Sequence, residues 1–256
     1  MNECMEKLEI ASNNYKKYKT KYLRLKDTKE IYLIRHGETE WNKNGLAQGQ
    51  EADIELNASG LEQVKKTANY LKKYRSDTKN GNFDCLYVSP MKRTVDTANI
   101  ISKIVNCNNI IVDSRLLERK QGKASGLSDK DELSVAIKEE EKKLKNIDPI
   151  KTYIDNDKIY TLIDKKFNIK WEIDKDIQKR ALECITDIIN TNYKKIIIVS
   201  HGGLLSALIK VIFKIPIVPL GDVKTYGSNC FISLIKHDKI NGYTMISPPD
   251  TTHLGL

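Results

Sequence analysis

Two of the four histidines in the chain stand in matching surroundings. His36 follows the apolar run 31–34 and Arg35, His201 follows the apolar run 196–199, and a glycine comes after each histidine. Short apolar runs of this kind predict buried strands, so both imidazoles are expected at strand ends. A neutral imidazole is a competent nucleophile and can form a covalent phosphohistidine. The two His-Gly pairs therefore indicate a site at which histidine does chemistry.

Charged side chains follow the other predicted strands. Arg93 comes shortly after the run 84–88, and Glu118 and Arg119 come shortly after the run 110–112. Arginine forks bind the oxygens of a phosphoryl group and stabilise its charge during transfer. A carboxylic acid beside the leaving oxygen would donate a proton, and Glu118 is the candidate. This set of residue types favours phosphoryl chemistry.

Strands and helices alternate along the chain with short connections, which predicts how these side chains are positioned. Apolar periodicity predicts helices over 61–71 and 91–105 and from Gly202, and a fifth strand over 231–235. Asn57 or Ser59 can cap the first of these helices. The alternation indicates an α/β fold with a mostly parallel sheet and helices on both faces. In such sheets functional groups gather beyond the carboxyl ends of the strands, so the candidate side chains should converge.

The composition limits the classes of protein that fit. The 256 residues suit one soluble domain, and 43 Lys and Arg against 34 Asp and Glu give a net charge of +9. That excess fits either an anionic partner or a composition rich in Lys, Asn and Ile. No apolar run reaches the ~18 residues of a membrane span, and the charged N-terminal segment predicts no signal peptide. Nucleic acid is not an expected partner, since only the N-terminal segment interleaves Tyr with Lys.

Five scattered cysteines without a CxxC pair indicate reduced thiols and a cytoplasmic protein without a zinc site.

Two segments depart from the alternating pattern. Residues 1–28 carry apolar side chains at steps of four and three among many lysines. This predicts a basic helical extension that docks on the body, self-associates or binds anions. Residues 128–172 are rich in Lys, Asp and Glu, contain a helix-like part at 130–145, and are expected to form an insertion over one end of the sheet. That insertion belongs to a single predicted catalytic domain, 29–256.

Ordered motifs at the predicted strand ends resemble those of a known family. They are Ile34-Arg35-His36-Gly37-Glu38-Thr39 with Trp41-Asn42, Gln48-Gly49 with Leu56-Asn57, Gly60 and Gln63, Ser89-Pro90 with Arg93, Thr97 and Ala98, Leu117-Glu118 with Gly122 and Gly126, Val199-Ser200-His201-Gly202-Gly203, and Asn229-Cys230. Together they resemble the histidine phosphatase superfamily in its phosphoglycerate-mutase-like branch. The resemblance covers about 30–127 and 175–236, and an ordered set is far more specific than a lone Arg-His-Gly.

The resemblance implies a role for each matched residue. His36 would be the phosphorylated nucleophile, and Glu118 the general acid and then the base that activates water. The residues expected to bind the phosphate of a small anionic substrate are Arg35, Asn42, Gln48, Gly49, Arg93, Arg119, His201 and Gly202. For Arg119, an ion pair at the rim of the site is an equal alternative. The resemblance further implies a three-layer α/β/α sandwich with 128–172 as a helical cap, and hydrolysis without metal or cofactor. It leaves a homodimer open.

The same site could hydrolyse a phosphohistidine or return the phosphoryl group to a second hydroxyl. Bisphosphate-dependent mutases of the family carry a tyrosine where this chain has Gln121 and an asparagine where it has Gly203. They also carry adjacent arginines in the insertion, whereas this chain has no Arg between Arg119 and Arg180. These departures favour a metal-independent phosphatase of small phosphomonoesters. A mutase that needs 2,3-bisphosphoglycerate and a catalytically weak binding or scaffold protein are the alternatives.

Overall fold

The structure is a computed structural model, and a mixed β-sheet lies at the centre of the part of the chain that it describes. That part comprises residues 15, 18, 28–77, 81–147, 156–215 and 227–255. Its strands are β1 Lys29–Arg35, β2 Cys85–Val88, β3 Ile110–Val112, β4 Lys195–Ser200, β5 Ile232–Asp238 and β6 Gly242–Asp250. They are ordered β3-β2-β4-β1-β5-β6, with β1 to β4 parallel to one another and β5 and β6 antiparallel to their neighbours. The mostly parallel sheet is confirmed.

Helices cover both faces of this sheet. They are α1 Glu40–Lys43, α2 Ala58–Asp77, α3 Lys92–Val105, α4 Glu132–Ile147, α5 Asn156–Phe167, α6 Asp174–Asn190 and α7 Gly202–Phe213. On β1, Ile31 and Leu33 pack with the apolar residues of α6 and α7, whereas Tyr32 and Ile34 pack with those of α2 and α3. Successive strand residues point to opposite faces, so an all-apolar strand needs cover on both sides. The result is the three-layer α/β/α sandwich.

Four elements have no counterpart among the predicted ones, namely α1, α5, α6 and β6. β6 lies at the sheet edge and includes Pro248 and Pro249, which an edge strand tolerates because it need not donate on both sides. α5 occupies the half of the insertion where the sequence shows no clear period. Its Ile159 and Ile163 are buried in a small cluster with Ile137 of α4, which is how the helix is stabilised.

The insertion is anchored at both ends on loops that follow strands. Ser128 forms an isolated bridge with Leu46, and the amide of Glu172 donates to the carbonyl of Lys120 at 2.9 Å. These contacts hold its ends beside the candidate site.

The domain boundaries themselves stay predictions. Of the N-terminal extension, Tyr15, Tyr18 and Thr28 belong to the described residues, and the two tyrosines are helical and largely exposed.

The start of α2 supports the loop that carries His36. Asn57 Oδ1 accepts the amide of Gly60 at 2.7 Å, so Asn57 is the cap. The amide of Asn57 donates to the Glu38 carbonyl at 2.9 Å, and Gln63 Oε1 accepts the Glu38 amide at 3.0 Å. The chain just after His36 is therefore held by one helix end.

Gly60→Ala is expected to disturb this support. A Cβ at position 60 would lie 2.1 Å from the Glu38 carbonyl oxygen and 2.7 Å from its amide nitrogen, so backbone would have to move. We expect a loss of about 1–3 kcal/mol in the free energy of unfolding, measured by denaturant titration. The exposed neighbour Ser59→Ala is the control and should stay within about 0.5 kcal/mol. Equal stability of the two variants would contradict the close packing.

Candidate active site

The register between β1 and β4 brings the two histidines together. Arg35 pairs with Ser200 in the parallel ladder, so the next residue of each strand is a histidine at the same level. The imidazole centroids of His36 and His201 lie 5.3 Å apart at an interplanar angle of 65°. Both rings are buried. The matching positions seen in the sequence are thus neighbours in space.

The ring of His36 is oriented by its own loop. Its Nδ1 lies 2.7 Å from the carbonyl oxygen of Gly37 and, since a carbonyl only accepts, Nδ1 is the donor. Burial, with the charges of Arg35 and Arg93, holds the pKa of His36 well below 6.5. A neutral ring with its proton on Nδ1 leaves the lone pair on Nε2. That is the state required of a nucleophile.

His201 is oriented from the neighbouring strand. Its Nε2 lies 2.8 Å from Ser89 Oγ, at the end of β2. Burial and the nearby charge of Arg93 hold the pKa of His201 well below its usual value, so this ring is also neutral. If the Ser89 hydroxyl donates to Nε2, the ring proton sits on Nδ1. Within the described ranges Nδ1 is buried and has no partner.

Two arginines supply positive charge beside the histidines. Arg93 on α3 is fully buried, and its Nη2 donates to the Gly49 carbonyl at 3.0 Å. Arg35 donates through Nη1 to the carbonyl of Gly227. In the described part of the chain, the Nε atoms of both arginines are buried without a hydrogen-bond partner. Buried N–H donors of this kind are rare unless a ligand satisfies them, so they are suited to bind an oxyanion.

The charge of both arginines persists at neutral pH. Burial lowers the pKa of Arg93 to about 10, opposed by the negative charges of Glu118 and Asp53. Burial also lowers the pKa of Arg35, and Glu118 again opposes the effect. Glu118 is thus close enough to act electrostatically on both cations.

The carboxylate of Glu118 lies at the start of α7. Oε2 accepts the amide of Gly203 at 3.0 Å, and Oε1 accepts the amides of Leu204 at 3.0 Å and Arg119 at 2.7 Å. A Cβ at position 203 would lie 2.4 Å from Oε1, so the glycine allows this close approach. The buried carboxyl group is therefore rigidly placed beside the second His-Gly pair.

The loop after β1 forms a hydrogen-bonded wall. Asn42 is the third residue of α1, and its Oδ1 accepts from the Thr39 amide at 3.3 Å and from Asn229 Nδ2 at 3.1 Å. Gln48 Nε2 donates to Thr39 Oγ1 at 2.7 Å, and among the described residues Gln48 Oε1 is a buried acceptor without a partner. These contacts place Asn42 and Gln48 in one polar cluster.

Three predicted phosphate-binding residues have other contacts in the structure. The carbonyl of Gly49 holds Arg93, and Gly202 begins α7, whose next two amides bind Glu118. Arg119 forms an ion pair with Asp174 and donates to the Glu172 carbonyl at 2.9 Å. The ion pair is the alternative left open for Arg119. Direct phosphate contacts by these three residues stay predictions.

Some supporting residues are not among the predicted site residues. Ser89 orients His201, and Asn229 donates to the His36 carbonyl at 3.1 Å. Ser89 and Asn229 both lie in the motifs that resemble the family, so the sequence offered a reason to include them in the site. Arg180 donates to the carbonyl of Glu118 at 3.0 Å, and nothing in its local sequence indicates this.

Two other kinds of site are absent from the described residues. No group of three or more His, Cys, Asp or Glu side chains there could hold a metal ion. No helix among them is long and apolar enough to span a bilayer.

The class of fold follows from likeness to solved structures. The phosphoglycerate mutase of Bacillus anthracis str. Sterne superposes with a TM-score of 0.69 over 91% of this chain and 98% of that one, at 21% identity. The fold is therefore phosphoglycerate mutase-like. The family model described as histidine phosphatase superfamily (branch 1) matches residues 31–244. The chain belongs to this superfamily, and it is an enzyme.

Curated relatives carry names of two kinds. A 2,3-bisphosphoglycerate-dependent phosphoglycerate mutase of Treponema denticola is 31% identical over 195 residues, 70% of this chain and 76% of that protein. A probable phosphatase of Schizosaccharomyces pombe is 28% identical over 222 residues, 87% of this chain and 70% of that protein. The chain is thus similar both to a mutase and to a phosphatase.

Proposed function

We propose that the protein is a phosphatase that hydrolyses small phosphomonoesters through a phosphohistidine at His36, without a metal or cofactor. The observation that carries the proposal is the combination of a neutral nucleophile and unsatisfied donors. His36 Nε2 carries a lone pair, and the described residues beside it include buried N–H groups on Arg35 and Arg93 without partners, together with the buried and unpartnered Nδ1 of His201. A phosphoryl group would satisfy those donors and present its phosphorus to the imidazole.

The reaction follows from this arrangement in two steps. The first step starts with Glu118 protonated beside the phosphate group. His36 Nε2 attacks phosphorus, the bond from phosphorus to the leaving oxygen breaks, and Glu118 gives that oxygen its proton. The arginines and His201 stabilise the equatorial oxygens. In the second step, the Glu118 carboxylate takes a proton from water as the water oxygen attacks phosphorus. The bond to nitrogen breaks, which releases inorganic phosphate and regenerates neutral His36.

Hydrolysis is favoured over mutase activity by the state of the cations around the site. A mutase must hold a bisphosphate and therefore needs additional free cations. Arg119, next to Glu118, is paired with Asp174. Gln121 stands at the position where the mutases have tyrosine. A mutase dependent on 2,3-bisphosphoglycerate is the second candidate, which the likeness to the Treponema denticola protein supports.

A panel of phosphorylated metabolites tests the proposed function. We expect EDTA-insensitive release of inorganic phosphate from p-nitrophenyl phosphate and from at least one alkyl phosphate such as phosphoserine or 3-phosphoglycerate. We also expect conversion of 3- to 2-phosphoglycerate, with 2,3-bisphosphoglycerate added, to be slower than hydrolysis of the best substrate. An isomerisation far faster than hydrolysis would establish the mutase instead. Absence of both activities would support a binding or scaffold role.

Location and assembly belong to the same proposal. Four cysteines among the described residues are free and buried, namely Cys85, Cys107, Cys184 and Cys230. Unpaired thiols fit a reducing compartment, so we place the enzyme in the cytoplasm. A homodimer is an expectation that sedimentation analysis of the full chain would test.

A further inference from the structure

All three nitrogens of the Arg180 guanidinium group, on α6, donate hydrogen bonds to protein oxygens. Nε and Nη2 form a fork with the two oxygens of Glu172, each at 2.7 Å. Nη1 donates to the carbonyls of Arg115 at 2.8 Å and Leu117 at 2.6 Å, and Nη2 also donates to the carbonyl of Glu118 at 3.0 Å. A guanidinium has five N–H donors, and these five bonds occupy all of them. No other side chain could make this set of contacts.

The three carbonyls belong to the segment that carries the candidate acid. This segment, 115–118, leads out of the edge strand β3 and has no strand partner beyond it. Its remaining carbonyl, that of Leu116, accepts Ser200 Oγ at 2.7 Å, and Gln50 Nε2 adds a bond to the Glu118 carbonyl at 2.6 Å. The carbonyls of this segment are thus satisfied by side chains from other elements, whereas the strands of the sheet satisfy theirs by pairing with neighbouring strands.

Glu172 connects the same arginine to the end of the insertion. The side chains of Arg180 and Glu172 are only 18% and 13% exposed, so the fork is largely shielded from solvent. The amide of Glu172 is bonded to Lys120, two residues beyond Glu118. A change at the end of the insertion would therefore be transmitted to the acid segment through this ion pair and through the bonds of Glu172 to Arg119 and Lys120.

We propose that Arg180, held by Glu172, is a positioning residue that keeps Glu118 aligned for proton transfer to the leaving group. The proposal rests on the proposed phosphatase function. Arg180 does not touch the reacting atoms. It fixes the backbone of the segment, and the three amides that bind the carboxylate then fix the side chain.

Leaving-group dependence separates positioning of the acid from a general structural role. An alkoxide leaving group must be protonated, whereas p-nitrophenolate leaves without a proton. The parameter kcat/KM reports the steps up to formation of the phosphoenzyme. A misplaced acid therefore lowers kcat/KM for an alkyl phosphate and spares kcat/KM for p-nitrophenyl phosphate. A general loss of structure lowers both equally.

We expect Arg180→Lys to lower kcat/KM for the best alkyl phosphate by about 10²-fold, the cost of a misplaced catalytic group. For p-nitrophenyl phosphate we expect at most a few-fold change. Glu118→Gln serves as the benchmark and should show the same pattern with a larger loss. Arg115→Lys is the matched control, because Arg115 lies on the same segment but its side chain pairs with Asp113 and Asp187. It should leave both substrates unchanged.

Chemical rescue gives a second readout. Arg180 lies in an open cleft of about 610 Å³ lined also by Gln50, Leu117, Trp171 and Glu172, so a guanidinium ion can enter. Guanidinium should restore alkyl phosphate hydrolysis to Arg180→Ala and not to His36→Ala. If Arg180→Ala does not fold, Glu172→Gln, which removes the fork but keeps the arginine, should show the same substrate pattern in milder form.

Two outcomes overturn the proposal, and they can be told apart from failure of the proposed function. If Glu118→Gln shows the leaving-group pattern but Arg180→Lys lowers both substrates equally, or neither, Arg180 does not position the acid. If the wild type hydrolyses nothing, or if Glu118→Gln shows no leaving-group pattern, the proposed reaction itself fails and the positioning role fails with it.

Discussion

His36→Ala is expected to lower turnover of every phosphomonoester by about 10⁴-fold or more, as removal of a nucleophile does. The reason is that no other described side chain is placed to take over the attack. The neighbouring ring of His201 has its Nε2 engaged with Ser89 Oγ. The measurement is phosphate release with EDTA present, together with a denaturing quench at alkaline pH to trap a phosphoprotein. The wild type should yield an acid-labile phosphohistidine and the variant none.

His237→Ala is the control for this experiment. His237 pairs with Lys29 at the opposite end of β1 from His36, and its ring contacts Tyr243 with centroids 4.7 Å apart. It should retain wild-type activity, which shows that loss of a histidine from the sheet is not itself damaging. Substantial turnover by folded His36→Ala would refute the phosphohistidine mechanism.

Arg93→Lys is expected to lower kcat/KM by about 10²–10³-fold, the usual cost of losing a preorganised donor to a developing oxyanion. Lysine keeps a positive charge but cannot present a planar set of donors, and it loses the unpaired Nε–H. Because the proposed contact is to the phosphoryl oxygens, alkyl phosphates and p-nitrophenyl phosphate should lose activity equally. That equality distinguishes this variant from Arg180→Lys.

The adjacent cation on the same helix provides the control. Lys92 is half-exposed and pairs with Glu55 and Asp96, so Lys92→Ala should leave kcat/KM unchanged. Thermal unfolding of both variants separates activity from stability, since the Gly49 carbonyl loses a partner in Arg93→Lys. An active Arg93→Lys variant with wild-type kcat/KM would show that the buried arginine is structural.

The sheet could be predicted from the sequence because its central strands are apolar on both faces. Ile31 to Ile34 and Ile196 to Val199 are entirely buried, and a continuous apolar run has few other places to go. The edge strand β6 and the helix α5, the second helix of the insertion, could not be predicted from the sequence in this way. β6 alternates exposed and half-buried residues, and the buried side of α5 depends on contacts with α4 and with Ile169 and Trp171 beyond its own end.

The convergence of the two histidines, Arg35 and Arg93 could be predicted from the sequence alone, since each stands just beyond an apolar run that predicts a strand, and the ends of parallel strands meet at one edge of the sheet. The surroundings of Glu118 were decided only by the tertiary structure. Its carboxylate binds amides 85 and 86 residues later in the chain, and its carbonyl binds an arginine 62 residues later. The ion pair of Arg119 with Asp174 likewise joins residues 55 positions apart. Contacts over such separations depend on how whole layers pack, and no local pattern of residues encodes them.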